Sequence, residues 1–175
     1  MRNLFLGVDP GWTNLGWCLL DESGVVVSGT MCPKDNGHGM TAISLLEHIK
    51  SLGLNIEDIR GICLERFVYY DGKHNPDSEN ILMVTGEFTA IASSLGIPFK
   101  LFRAIDWKTA LAKHLWLKMA FKNPSQALDK KFSMAAAKCA LDNTFKVDHE
   151  ADGGCLAYLL REHWMSSRGM TNRVG

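Results

Sequence analysis

The sequence predicts an α/β fold: a mixed five-stranded sheet with three antiparallel N-terminal strands, then parallel strands, flanked by helices. Three observations lead there. Short apolar runs punctuated by turn residues open the chain. Two further short apolar runs alternate with helical periodicity. Beyond the last of them, everything reads as helix.

Leu4 to Val8 is a buried-strand run ending in Asp9-Pro10-Gly11. Leu15 to Leu20 and Val25 to Thr30 are joined by Asp21-Glu22-Ser23-Gly24, a hairpin signal. Met40 to Leu52 repeats apolar residues at Ile43, Leu46 and Ile49, and reads as a helix with Thr41 as its cap. Gly61 to Leu64 is a second buried strand, followed by Glu65. A polar, turn-rich loop leads to a helix over Ser78 to Leu95, stopped by Gly96, and Pro98 to Phe102 is the fifth strand. Helices are then expected over roughly Asp106–Met119, Pro124–Leu141 and His149–Trp164. The order is βββαβαβ followed by helices.

The chain's 175 residues suit one domain, expected over 1–164, and the tail 165–175 has little to bury and is expected to fray. No apolar run reaches the ~18 residues of a membrane span, and the N-terminal run is too short for a signal peptide. The cysteines Cys18, Cys32, Cys63, Cys139 and Cys155 lack CxxC spacing, and all but Cys32 sit in apolar contexts. They read as reduced core thiols of a cytoplasmic protein, which argues against a disulfide framework or a zinc site.

Formal net charge is zero but unevenly spread. From Lys100 to Lys138 there are nine basic residues and two acids, a net +7, so the remainder carries −7. Either the lysines dot a solvated helix surface, or they form a polyanion-binding face beside an acidic pocket.

Asp9 and Glu65 each directly follow an apolar strand, so two acids can meet on one sheet edge. His149 and Asp152 are three apart and share a helix face. If that helix packs across the sheet, four oxygen or nitrogen ligands converge. Carboxylates of this kind hold magnesium, and two such ions clamp both oxygens of a phosphodiester displacement. Each residue also has a plainer reading. Asp9 can start a turn, Glu65 can pair with Arg66, Asp148 can be an N-cap, and Glu150 suits the helix dipole. Asp152 is harder to dismiss, because Gly153, Gly154 and apolar residues flank it and an unpaired carboxylate there is costly.

Together these segments resemble a known family. "GVDPGWTNLGW", "ICLERF" and "KKFSMAAAKCAL…VDHEADGGCLAYLL" are similar, in order, to the acidic motifs of the RuvC-like Holliday junction resolvases, from Asp9 to about Leu160. The segment "DWKTALAKHLWLKMAFKNP" is longer and more basic than in the cellular enzymes and resembles the divergent phage or organellar branch. The resemblance implies an RNase H-like fold, a homodimer, and a magnesium-dependent endonuclease that nicks four-way DNA junctions symmetrically in recombination and repair, with manganese as a substitute ion. By position, Asp9, Glu65, His149 and Asp152 are the implied metal-binding catalytic set, with Asp148 the alternative fourth ligand. Asp9 would bridge two metals, Glu65 and Asp152 would hold one side each, and His149 would complete the latter side. A neutral imidazole is needed for ligation, so activity is expected to fall below about pH 6.5.

Lys108, Lys113, Lys130, Lys131 and Lys138 are candidates for phosphate contacts on the junction arms. Phe67, Trp107 and Trp116 are candidates for stacking at an opened junction, although the two tryptophans read better as core or dimer-interface residues. Other classes fit parts of the pattern. One is an RNase H-like nuclease for flaps, forks or a YqgF-like substrate, and another is a non-catalytic junction binder. "DPGWTNLG" also resembles the phosphate loop of actin-like sugar kinases, but those need two such domains.

Overall fold

The computed structural model describes residues 2–37, 39–68, 77–114 and 130–168; the side chains of His114, Lys130 and Lys131 lie outside that description. The strands are β1 (Leu4–Asp9), β2 (Leu15–Leu20), β3 (Val25–Met31), β4 (Ile59–Arg66) and β5 (Phe99–Arg103). The helices are α1 (Pro33–Asn36), α2 (Thr41–Ser51), α3 (Ser78–Ser94), α4 (Ala104–His114), α5 (Lys130–Leu141) and α6 (Asp148–Ser167). The expected order holds, with the one-turn helix α1 added.

The sheet runs β3-β2-β1-β4-β5. β1–β2 and β2–β3 are antiparallel, and β4 lies parallel to both β1 and β5. The hairpin turn is tied by its own aspartate. The Asp21 carboxylate accepts from Ser23 N, Ser23 Oγ and Gly24 N, which holds its pKa below the usual range despite partial burial. Gly24 supplies the φ of 147° that the turn requires.

Strand alternation divides the interior in two. Leu4, Leu6 and Val8 of β1 pack with Leu45 and Ile49 of α2 and Val84 and Phe88 of α3. Phe5, on the opposite face, packs with Trp107, Phe132, Cys155 and Leu156 from α4, α5 and α6. Gly7 and Asp9 share that second face. In β4, Cys63 lies on the α6 side, and Glu65 follows it by parity. Both site acids therefore project toward the helices of the C-terminal third.

α6 sits against the sheet because glycines leave room. A Cβ on Gly7 would collide with the Gly153 carbonyl and the Ala157 amide, and one on Gly16 with the His149 carbonyl. A Cβ on Gly153 would stand 3.0 Å from Trp17 Cα. Gly154 instead accommodates Phe145, 2.7 Å from an added Cβ, so it serves the contact with α5 and its following loop, not the sheet.

Several local expectations need correction. Asp9 and Glu65 lie inside strand ends, not after them. Thr41 is the first residue of α2 and not its cap; Glu87 of α3 accepts the amides of Gly39, Thr41 and Ala42 instead. α6 runs to Ser167, three residues beyond Trp164, and the Arg168 guanidinium lies 4.1 Å from the centre of the Trp164 ring. Residues 169–175, Trp116 and the expected helical stretches 115–119 and 124–129 lie outside the described residues. Cys18, Cys63 and Cys155 are buried, but Cys139 is exposed on α5 and is not a core thiol. No described helix is long and apolar enough to cross a membrane.

Candidate active site

The register brings the acids together. Val8 pairs with Leu64 across β1 and β4, so the next step along each strand sets Asp9 beside Glu65. Asp9 pairs with Gly16 on its other side. The missing side chain at Gly16 lets the first turn of α6 descend over it. From there His149 Nδ1 meets Asp9 Oδ2 at 2.5 Å. One turn further, Asp152 faces the same cluster.

The first turn of α6 is anchored by Glu150. Its carboxylate accepts from Ser28 Oγ at 2.5 Å and from Lys146 N at 3.1 Å, and the residue is buried. Glu150 thus sits in the first turn, as the helix dipole favours, and also ties α6 to strand β3. Asp148 is the first residue of the helix and not its cap, which is Val147.

Burial raises the Glu65 carboxyl to about 7, and the Asp9 and Asp152 charges push the same way. Trp107 opposes this: its Nε1–H donates to Glu65 Oε2 at 2.8 Å, and the Lys108 ammonium adds a favourable charge. Burial likewise raises Asp152 to about 6, helped by Asp9 and opposed by Lys108, Ser133 and His149. The bond to Asp9 holds His149 above its ordinary pKa, against the effect of burial. In the neutral tautomer that carries its proton on Nδ1 and donates it to the Asp9 carboxylate, Nε2 is the acceptor.

Lys108 is not on an outer DNA-facing surface. It is 6% exposed, and its Nζ stands 5.0 Å from the centre of the Trp107 ring, close enough to act on Glu65 and Asp152. Charge counting places a lysine in a basic segment but says nothing about burial. Trp107 is fully buried, so its role is internal. Lys113 and Lys138 are exposed, and Phe67 is half-buried just after β4.

Among the described residues, no group of three or more His, Cys, Asp or Glu side chains is arranged to hold a metal ion. The donor set nonetheless fits a hard divalent cation. It offers carboxylate oxygens, which magnesium prefers. Their mutual repulsion is what a cation relieves. Asp152 Oδ1 is a buried polar atom with no hydrogen-bond partner, the kind of atom whose explanation is a missing ion or water.

Thermus thermophilus RuvC in complex with a Holliday junction substrate superposes with a TM-score of 0.63 at 14% identity, covering 95% of this chain and 97% of that one. The fold is RuvC-like. RuvC from T. thermophilus in a second structure gives 0.62 at 15% identity over the same shares. The yeast mitochondrial Holliday junction resolvase Ydc2 gives 0.53 at 15% identity, over 94% of this chain and 82% of that one. In sequence, no family model and no curated protein matches the chain.

Proposed function

We propose that this protein is a metal-dependent endonuclease that hydrolyses phosphodiesters in branched DNA, with the four-way junction as its substrate. The observation that carries this reading is the meeting of Asp9, Glu65 and Asp152, with His149 and Lys108, at one sheet edge. Such a cluster of buried carboxylates is unfavourable by itself and is typical of sites built to hold cations. The RuvC-like fold supports the choice of DNA junctions over other phosphodiesters.

Asp9, Glu65, Asp152 and His149 would hold Mg2+, or Mn2+ in its place. When bound, such an ion supplies positive charge to the phosphoryl oxygens and acidifies a water molecule. His149 is oriented by Asp9 and, when neutral, presents Nε2 as ligand or proton acceptor. Because Asp9 raises its pKa, neutrality is reached above the ordinary 6.5, so the acid limb of activity moves up from the sequence-based expectation. Trp107 and Lys108 favour the ionised form of Glu65, and the Trp107 hydrogen bond orients it. Lys113 and Lys138, with Lys130 and Lys131, would neutralise phosphates along the junction arms.

A four-way junction offers two equivalent strands, which a two-fold homodimer matches. The outer face of α3 supports that assembly: Leu82 and Met83 are 41% and 47% exposed.

The test is cleavage of a synthetic four-way junction with Mg2+, against flap, fork and linear duplex controls. Asp9→Asn and Asp152→Asn are expected to retain junction binding and lose cleavage by at least about 100-fold. Wild-type cutting by either variant overturns the site. Equal cutting of all substrates favours a broader RNase H-like nuclease, and binding without cutting favours a non-catalytic junction binder.

A further inference from the structure

Ser133 of α5 is fully buried, and its hydroxyl finds no hydrogen-bond partner. Its near neighbour is the Asp152 carboxylate, whose Oδ1 is also buried and also unpartnered. Two buried polar atoms without a partner, one on each of two packed helices, are costly. The same serine is gripped from the next turn of α6: Cys155 Sγ donates to the Ser133 carbonyl at 3.7 Å. Residues 152 and 155 are three apart on one helix face. One residue of α5 is thus bonded to the site helix through its backbone, while its hydroxyl lies beside the Asp152 carboxylate. Packing alone would be served by alanine, which α5 uses at 135, 136 and 137.

We propose that Ser133 is a positioning residue for Asp152, its hydroxyl hydrogen-bonding the carboxylate and holding it oriented for a divalent cation. The inference rests on Asp152 being a metal ligand. Ser133 itself touches neither metal nor substrate. A group that orients a metal-bound carboxylate typically contributes 10- to 100-fold in metal affinity.

The test is Mn2+ binding to the full-length protein, followed by electron paramagnetic resonance of the free ion, with thermal unfolding in EDTA alongside. Ser133→Ala is expected to weaken Mn2+ binding by about 10-fold or more, while leaving the metal-free Tm unchanged or slightly raised, because an unpartnered hydroxyl has been removed. Ser133→Thr, which restores the hydroxyl, should recover binding. A purely structural role predicts the reverse: a lower Tm with Mn2+ affinity intact, and that result overturns the inference. Asp152→Asn is measured in parallel. If it binds Mn2+ as well as wild type, the metal-site reading itself has failed. If it loses binding while Ser133→Ala keeps it, only the role of Ser133 has failed.

Discussion

Trp107 Nε1 donates a hydrogen bond to Glu65 Oε2 at 2.8 Å, joining α4 to the end of β4 inside the acidic cluster. The ring is fully buried and packs beside Phe132, so one residue serves both the core and the site. Trp107→Phe keeps most of the apolar surface and deletes the donor. A hydrogen bond to a charged group is worth about 1.5–3 kcal/mol. The loss raises Glu65 further, since that bond was lowering its pKa. Junction cleavage at pH 7 should drop by roughly 10-fold or more. The acid limb of the pH–rate profile should move upward. A lower rate with an unmoved limb would mean that Trp107 only fills space.

Metal-free stability should fall between pH 5 and 8. Glu65 and Asp152 have folded-state pKa values raised to about 7 and about 6 from 4.5 and 3.8. The folded protein therefore binds protons more tightly than the unfolded chain, and their favourable contribution disappears as pH rises through those values. His149, also raised, acts in the same direction. Asp21, lowered from 3.8, matters only in stronger acid. The combined loss is on the order of 3 kcal/mol, or roughly 5–10 °C in Tm. Differential scanning fluorimetry in EDTA measures it directly. Added Mg2+ should restore more stability at pH 8 than at pH 5. A Tm that rises across this window in EDTA would contradict the buried-carboxylate cluster.

The lysines should separate into two groups. Lys108 is buried against the acids, so Lys108→Gln should slow cleavage and leave the salt dependence of junction binding unchanged. Lys113 and Lys138 are exposed. Replacing both with alanine should flatten the slope of log K against log salt by up to about 2, with little effect on cleavage of saturated junction. Equal salt slopes for all three variants would return Lys108 to the DNA-facing surface.

What the sequence revealed, and what it hid, follows from range. Asp9 and Glu65 were readable because an acid at the end of an apolar run is a local signal, and parallel pairing of two such runs puts their ends together. Asp152 stood out because glycine and apolar neighbours promise burial. Trp107 and Lys108 carry no such mark. A tryptophan beside a lysine in a basic segment looks the same whether it lines a core or a surface, and only the packing of α4 against β4 decides. Glu150 is only half legible for a related reason: an acid in a first helical turn, where it does lie, already has a sufficient local explanation, so its long-range bond to Ser28 leaves no trace in the pattern.

Gly7 gives the sharpest test of how the sheet positions the site helix. Its backbone is ordinary extended strand, so conformational freedom is not the reason for glycine, and propensity alone would make Gly7→Ala neutral or mildly stabilising. Packing predicts the opposite. The added methyl meets the Gly153 carbonyl and the Ala157 amide, both backbone atoms of α6, so no side-chain rotation can relieve the clash. α6 must lift from the sheet, and it carries His149 and Asp152 with it. The expected cost is about 3 kcal/mol or more by urea unfolding, at the upper end for overpacking, together with loss of the Mg2+-dependent gain in Tm. Ala157→Gly in the same chain should not rescue either property, because the obstruction is backbone and not the Ala157 methyl. Full recovery in the double variant would show that the close approach of α6 is set by side-chain size at 157 and that the backbone contact at Gly7 is dispensable.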